Sequence, residues 1–281
     1  MITKSEFIST IRSIGEEYGD VIVKDITRTD RHYTGMYIDR IGAPTPVVDL
    51  DRMYNHYLET SDLDGCIDAI RDILTMSPDF SVDTDAIMNW SKAKTKLYLR
   101  LVGTVTDGIC QVVEDLYLVP YLHVLDGNAT AAMRITADLL DVWGITLDEL
   151  FEAATENQET LRPAVIKTLI DVFGPMMAED LGVTDETPFY IVSTESGNYG
   201  AGAILYRDVA EEIRERIGGD FYVLPSSVHE TIVIPKEGNG EASALAEMVT
   251  MINCHDVRED DRLSDSVYTY DFTEGKLKKV S

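Results

Sequence analysis

The spacing of apolar residues changes along this chain, and no other feature limits its fold as much. Over residues 4–17, Phe7, Ile8, Ile11 and Ile14 recur at helical spacing and make one face. Residues 21–28 and 33–40 are instead rich in β-branched and aromatic side chains. Thr29-Asp30-Arg31-His32 between them is a polar turn, so the pair predicts a β-hairpin. Gly42-Ala43-Pro44-Thr45-Pro46 is a loop, because the residue before a proline is pushed out of helical backbone. A helix is expected over residues 51–59. A second follows, with Ser61 as N-cap and Leu63, Ile67, Ile70 and Leu74 on one face. A third helical stretch covers 83–93. Leu97, Leu99 and Leu101 then alternate with Tyr98, Arg100 and Val102, and with residues 116–125 they read as strands.

The middle of the chain returns to helix. Thr146-Leu147-Asp148-Glu149 is a capping box, in which the hydroxyl and the carboxylate each satisfy an orphan N–H, and Leu147, Leu150, Phe151 and Ala154 make the expected buried face. Another helix is expected after Pro163, with Ile166, Leu169, Ile170 and Phe173 inward and a stop at Gly174-Pro175. In the last third, residues 189–194 and 203–206 are expected strands around the loop 195–200. A helix over 207–217 closes at Gly218-Gly219, and strands over 221–224 and 231–234 flank the loop 225–230. A helix over 241–252 and a strand pair, 267–272 and 276–280, complete the pattern. Strands and helices without strict βαβ alternation predict an α+β fold, with antiparallel or mixed sheets and flanking helices. Two strand-rich ends surround a helical block, which suggests an N-terminal region, 1–140, and a C-terminal region, 141–281.

The 281 residues are 44% hydrophobic and include 14 Tyr and 7 Phe, enough to bury a core and unlike a disordered chain. The start, MITKSEFISTIRSIGEEYGD, lacks the apolar stretch of a signal peptide, and nowhere do roughly 20 apolar residues span a bilayer's width. Cys66, Cys110 and Cys254 are far apart and odd in number, which suits a reducing cytoplasm.

Fifty acidic residues against 24 basic ones give a net charge of -26 and a pI near 4.4. A field of that sign repels phosphate backbones and anionic lipid, so direct binding to nucleic acid or membrane is not expected. The charge is uneven: residues 101–200 hold three basic residues (Arg134, Arg162, Lys167) against 17 acidic ones, which is -14 of the total. Acidic side chains on helices suit a basic protein partner contacting residues 101–200. A sharper version of that idea is a DNA mimic that occupies a nucleic-acid-binding protein.

Motifs with defined chemistry are missing. Ser226-Ser227-Val228-His229-Glu230 holds nucleophile, base and acid types, but triad members meet through the fold and not by adjacency, and there is no G-x-S-x-G elbow. The position four residues after His229 is Val233, so no zinc pair forms there. Gly197, Gly200 and Gly202 precede an expected strand and no lysine, unlike a phosphate loop. Cys254-His255-Asp256 lacks a second cysteine or histidine at ligand spacing, and Asp62-Leu63-Asp64-Gly65 is too short for a calcium loop. No cofactor or metal is expected, and the catalytic candidates are Ser227, His229 and Glu230, since polar loops at strand ends often carry sites.

The runs Gly200-Ala201-Gly202-Ala203-Ile204-Leu205-Tyr206, Gly218-Gly219-Asp220-Phe221-Tyr222 and Leu224-Pro225-Ser226-Ser227-Val228-His229-Glu230 resemble the bacterial domain of unknown function 5688 family. The end, Leu263-Ser264-Asp265-Ser266-Val267-Tyr268-Thr269-Tyr270-Asp271, is similar to that family's end. The resemblance implies a bacterial cytoplasmic setting and transfers no site residue. Three functions remain: a non-enzymatic binding or regulatory protein, a hydrolase-like enzyme built around the Ser226–Glu230 loop, and an assembly role through a sheet edge.

Overall fold

A computed structural model describes residues 2–27, 32–39, 45–75, 84–106, 108–124, 132–174, 189–225 and 227–281. The fold is α+β, and every strand pair among the described residues is antiparallel. The chain forms two compact units, residues 1–84 with 124–131, and residues 85–123 with 132–281. They divide after Thr84, well before the helical block that suggested the 1–140 and 141–281 regions.

In the first unit, helix α1 (Lys4–Gly15) opens with a capping box, Thr3 to Glu6, and buries Phe7 and Ile11. The N–H and hydroxyl of Thr3 hold the Glu6 carboxyl below its usual range. Strands β1 (Val21–Thr27) and β2 (His32–Ile38) pair from Val21↔Ile38 to Thr27↔His32, as the hairpin pattern predicts. The turn over 29–31 and the loop over 42–44 lie outside the described residues. Strand β3 (Val48–Asp49) joins β2, and Asp49 caps helix α2 (Leu50–Thr60) by accepting the Arg52 N–H at 2.9 Å. Ser61 does not cap helix α3 (Leu63–Thr75). It ends α2 in left-handed backbone, φ 57, and Asp62 accepts the Gly65 N–H at 2.9 Å instead. The carboxylate one residue later is the better-placed acceptor for the first turn. Phe7, Ile11, Met36, Val48, Leu50 and Ile70 form the core of this unit.

In the second unit, the expected 83–93 helix breaks at Asn89 into α4 (Thr84–Met88) and α5 (Trp90–Ala93); Asp83 lies outside the described residues. Asn89 Oδ1 accepts the Ser91 N–H at 3.0 Å and restarts the helix. Strands β4 (Leu97–Val102), β5 (Gln111–Val113), β6 (Leu116–His123) and β7 (Ala132–Arg134) form one sheet, with β6 between β4 and the other two. Helix α6 (Ala137–Trp143) ends at Gly144, φ 66. Helix α7 (Leu147–Leu161) starts with the Thr146–Glu149 capping box. Its inward face is Leu150, Ala153, Ala154 and Gln158, while Leu147 is 51% exposed. The reason is partner geometry: α7 lies along the free edge of β4, and the polar Gln158 is needed there. Gln158 accepts the Leu99 N–H at 2.6 Å and donates to the Leu99 carbonyl at 3.0 Å.

Two expectations fail next. The residues after Pro163 first form strand β8 (Ala164–Thr168), and only then helix α8 (Leu169–Phe173), which Thr168 and Asp171 cap. The β-branched run Val165-Ile166 and Thr168 suits a strand, and the apolar spacing alone does not separate the two. Residues 203–206 are not a strand. Ala201–Leu205 is a buried 3-10 helix, and its small side chains let it press on β4, with Leu101 Cβ at 3.6 Å from where a Cβ on Gly202 would sit.

Strands β9 (Tyr190–Thr194), β10 (Phe221–Leu224), β11 (Thr231–Pro235), β12 (Tyr268–Asp271) and β13 (Lys276–Lys279) join β8 in a six-stranded sheet of order β13-β12-β10-β11-β9-β8. Their period of two divides the core. Tyr190, Val192, Phe221, Val223 and Val233 face helix α9 (Arg207–Ile217) and the 3-10 turn. Leu224 and Ile234 face helix α10 (Ala242–His255) through Leu245 and Val249.

Asp115, in the turn between β5 and β6, pins that turn to the six-stranded sheet. It accepts from Tyr268 Oη, Ser266 Oγ at 3.0 Å and Lys279 Nζ at 2.8 Å. Burial works to raise its pKa, but these bonds, Lys279 first, outweigh it and hold the carboxyl below 3.8. A depressed carboxyl stabilises the fold above its unfolded pKa, and that contribution is lost as pH falls through the folded value. Asp115→Asn is therefore expected to cost about 1 kcal/mol at pH 7, discounted because the carboxylate is 41% exposed. Urea unfolding should show the gap to the wild type closing as pH drops below about 3.8.

Candidate functional site

The loop joining β10 to β11 carries the residues with nucleophile, base and acid chemistry. Ser226 lies outside the described residues. Ser227 is 7% exposed, its main chain bridges to Arg262, and its Oγ accepts the His229 N–H at 3.0 Å. The Tyr199 N–H reaches His229 Nδ1 at 3.2 Å, which assigns the ring proton to Nε2, and Nε2 faces Asp261 Oδ1 at 3.3 Å. The His229 carbonyl accepts from Gly200 N at 3.0 Å and Ser193 Oγ at 2.7 Å. The fold brings Ser227 and His229 together through the main chain, with no hydrogen bond from Ser227 Oγ to the ring. General-base catalysis needs a ring nitrogen free to take the nucleophile's proton. Here Nδ1 is filled by a backbone donor and Nε2–H by Asp261. The arrangement ties the loops 195–200 and 225–230 to the 3-10 turn Glu259–Asp261. The Glu230 carboxylate makes no hydrogen bond or ion pair among the described residues.

Two shallow depressions, of about 400 Å³ and 420 Å³, lie elsewhere. One is lined by Lys24, Tyr37 and Val47, the other by Glu159, Tyr206, Asp208 and Glu212.

Beyond Tyr199 lies a basic centre that sequence reasoning missed. Period two sets Tyr98 and Arg100 of β4 on one face, and the register puts Tyr121 of β6 opposite Tyr98. The Arg100 guanidinium carbon sits 4.0 Å from the ring centres of both Tyr121 and Tyr199, and Nε and Nη2 donate to Tyr98 Oη at 3.1 and 2.6 Å. The Tyr98 ring stacks on His123 at 4.5 Å and lies 5.3 Å from the Arg162 guanidinium carbon.

Arg162, the C-cap of α7, is 8% exposed. Its Nη2 donates to the carbonyls of Asn198 and, at 3.1 Å, Tyr199. Among the described residues, no carboxylate lies within ion-pair distance of Arg100 or Arg162. Burial pulls the Arg162 guanidinium below its usual pKa, and the charge of Arg100 adds to that pull. His123 is also held down, by burial first and then by Arg162, Arg100 and Lys96. The alternation of Tyr98 and Arg100 was visible in the chain, but nothing in it linked them to Arg162 or Tyr199.

A third feature is acidic. Asp138 and Asp141 of α6 and Asp148, Glu149, Glu152, Glu156 and Glu159 of α7 are all exposed, and residues 137–161 contain no lysine or arginine. None of these seven forms an ion pair among the described residues, and Glu149 also closes the capping box. Exposed Val142 and Leu147 sit among them. Among the described residues, no group of three or more His, Cys, Asp or Glu side chains is arranged to hold a metal ion, and no helix is long and apolar enough to cross a membrane.

Neither the curated proteins nor the solved structures contain a match to this sequence. A family of unknown function, DUF5688, matches residues 4–272, nearly the whole chain, and the chain belongs to that family.

Proposed function

We propose that this is a non-enzymatic binding protein of the bacterial cytoplasm whose acidic α6–α7 face takes a basic protein partner. The observation that carries the reading is the run of seven exposed carboxylates, none in an ion pair among the described residues, on two helices without lysine or arginine. Such a face steers a basic surface toward it, and Val142 and Leu147 offer apolar contact once the two meet. The engaged nitrogens of His229 and the turned-in hydroxyl of Ser227 support binding over catalysis. Three free cysteines suit a reducing compartment.

A labelled oligo-lysine peptide, followed by fluorescence anisotropy at low salt, tests the face. The quadruple variant Asp138→Asn, Asp141→Asn, Glu152→Gln, Glu156→Gln is expected to bind about tenfold more weakly, from a few tenths of a kcal/mol per exposed charge. Neutralising Glu237 and Glu247, which lie outside this face, should leave binding unchanged. A quadruple variant with wild-type affinity would remove the reading.

A further inference from the structure

We propose that the Arg100–Arg162 centre is a binding site for the phosphate group of a small ligand. The inference stands apart from the acidic face and survives if that face binds nothing.

The argument begins with charge. The chain has 50 acidic residues to place beside its cations, and at its surface it does so. Arg207 pairs with Glu211, Arg214 with Asp220, Arg216 with Glu212 and Arg258 with Asp261. At the centre it does the reverse. Arg162 is buried beside the carbonyls of Asn198 and Tyr199 and the phenols of Tyr98 and Tyr206, with no carboxylate paired to it among the described residues, and the charge of Arg100 adds repulsion. Burying a guanidinium without a counter-charge is costly, and a site built this way is incomplete until an anion arrives.

Geometry adds the second argument. The rings of Tyr121 and Tyr199 each pack 4.0 Å from the Arg100 guanidinium carbon, and ring packing of this kind leaves the guanidinium edge to make hydrogen bonds. Nε and Nη2 are taken by Tyr98 Oη, and Nη1 makes no hydrogen bond among the described residues. On Arg162, Nη2 is taken, whereas Nε and Nη1 make none. Both guanidinium carbons lie within 5.5 Å of the Tyr98 ring centre, which makes that ring the neighbour the two cations share. The rings and carbonyls hold the forks in place before binding, which lowers the ordering cost. Tyr199, whose ring packs on Arg100, is 38% exposed and in left-handed backbone at φ 50.

The charge count selects the anion. Two fixed positive charges match a phosphate monoester, with roughly -1.5 to -2 charges and three acceptor oxygens at neutral pH. A single carboxylate leaves one guanidinium uncompensated. The overall charge of -26 opposes a long polyanion, so the ligand is a small phosphorylated molecule and not a nucleic acid strand.

Inorganic phosphate is the probe, titrated into the intact protein by calorimetry with sodium chloride at matched ionic strength and sodium acetate as comparisons. The expected result is saturable binding of phosphate, weaker binding of acetate, and none of chloride. Arg100→Gln should weaken phosphate binding at least tenfold while near-UV circular dichroism stays native. Arg100→Lys keeps the positive charge in the strand but loses the fork, and it should also weaken binding, guarding against a glutamine variant that fails to fold. Absence of saturable phosphate binding in the wild type, or wild-type affinity in a natively folded Arg100 variant, overturns the proposal.

Discussion

Gly103→Ala is expected to lower the thermal unfolding midpoint by roughly 10 °C, from a loss of about 3 kcal/mol at a few degrees per kcal/mol. Gly103 directly follows β4. A Cβ there would sit 1.9 Å from the Leu263 carbonyl oxygen and 2.9 Å from the carbonyl carbon. The obstacle is backbone, so no rotamer change relieves it. That backbone is also held in place. Leu263 is 4% exposed in the core, Ser264 N donates to the Pro225 carbonyl at 3.0 Å, and Asn253 Nδ2 donates to the Ser264 carbonyl at 3.0 Å. Gly219→Ala is the control, since nothing lies within 4 Å of its added carbon. Thermal denaturation followed by circular dichroism measures both. A Gly103→Ala midpoint equal to that of Gly219→Ala would show that the two segments are not in contact.

Gln158→Leu should cost about 2–4 kcal/mol, although the new side chain is apolar and similar in size. Gln158 is the single side chain that satisfies both the N–H and the C=O of Leu99 from α7, at 2.6 and 3.0 Å. Leucine would leave both groups buried and unpaired, each at about 1–3 kcal/mol before relaxation. The neighbouring Glu159→Gln, on the exposed side of the same helix, should change stability by less than about 0.5 kcal/mol. Urea unfolding compares the two directly. Equal stabilities would mean that α7 does not complete the edge of β4.

The candidate site was only partly legible. The Ser226–Glu230 loop attracted attention because it concentrates reactive residue types. What those groups do depends on Tyr199 and Asp261, some 30 residues away on either side in the chain. The basic centre shows the opposite failure. Arg100 read as a polar position in an alternating strand and Arg162 as one cation in an acidic region, because no local pattern marks a missing counter-ion. Burial, and the lack of a carboxylate partner among the described residues, are properties of the packed neighbourhood, and neighbours come from β4, β6, the end of α7 and the loop 195–200.

What the sequence alone determined is the local order. Thr146 starts its helix through a bond that reaches three residues, Gly218 ends α9 in left-handed backbone, and β1 pairs with the next strand, β2, from Val21↔Ile38 to Thr27↔His32. These depend on contacts within a few positions, which spacing and residue type express directly. Only tertiary structure decided that Ala164–Thr168 pairs as a strand with β9, that Ala201–Leu205 tightens into a buried turn, and that two arginines share one tyrosine. Short apolar runs satisfy more than one local geometry, and the choice among them falls to the distant faces and edges that must be buried or hydrogen-bonded.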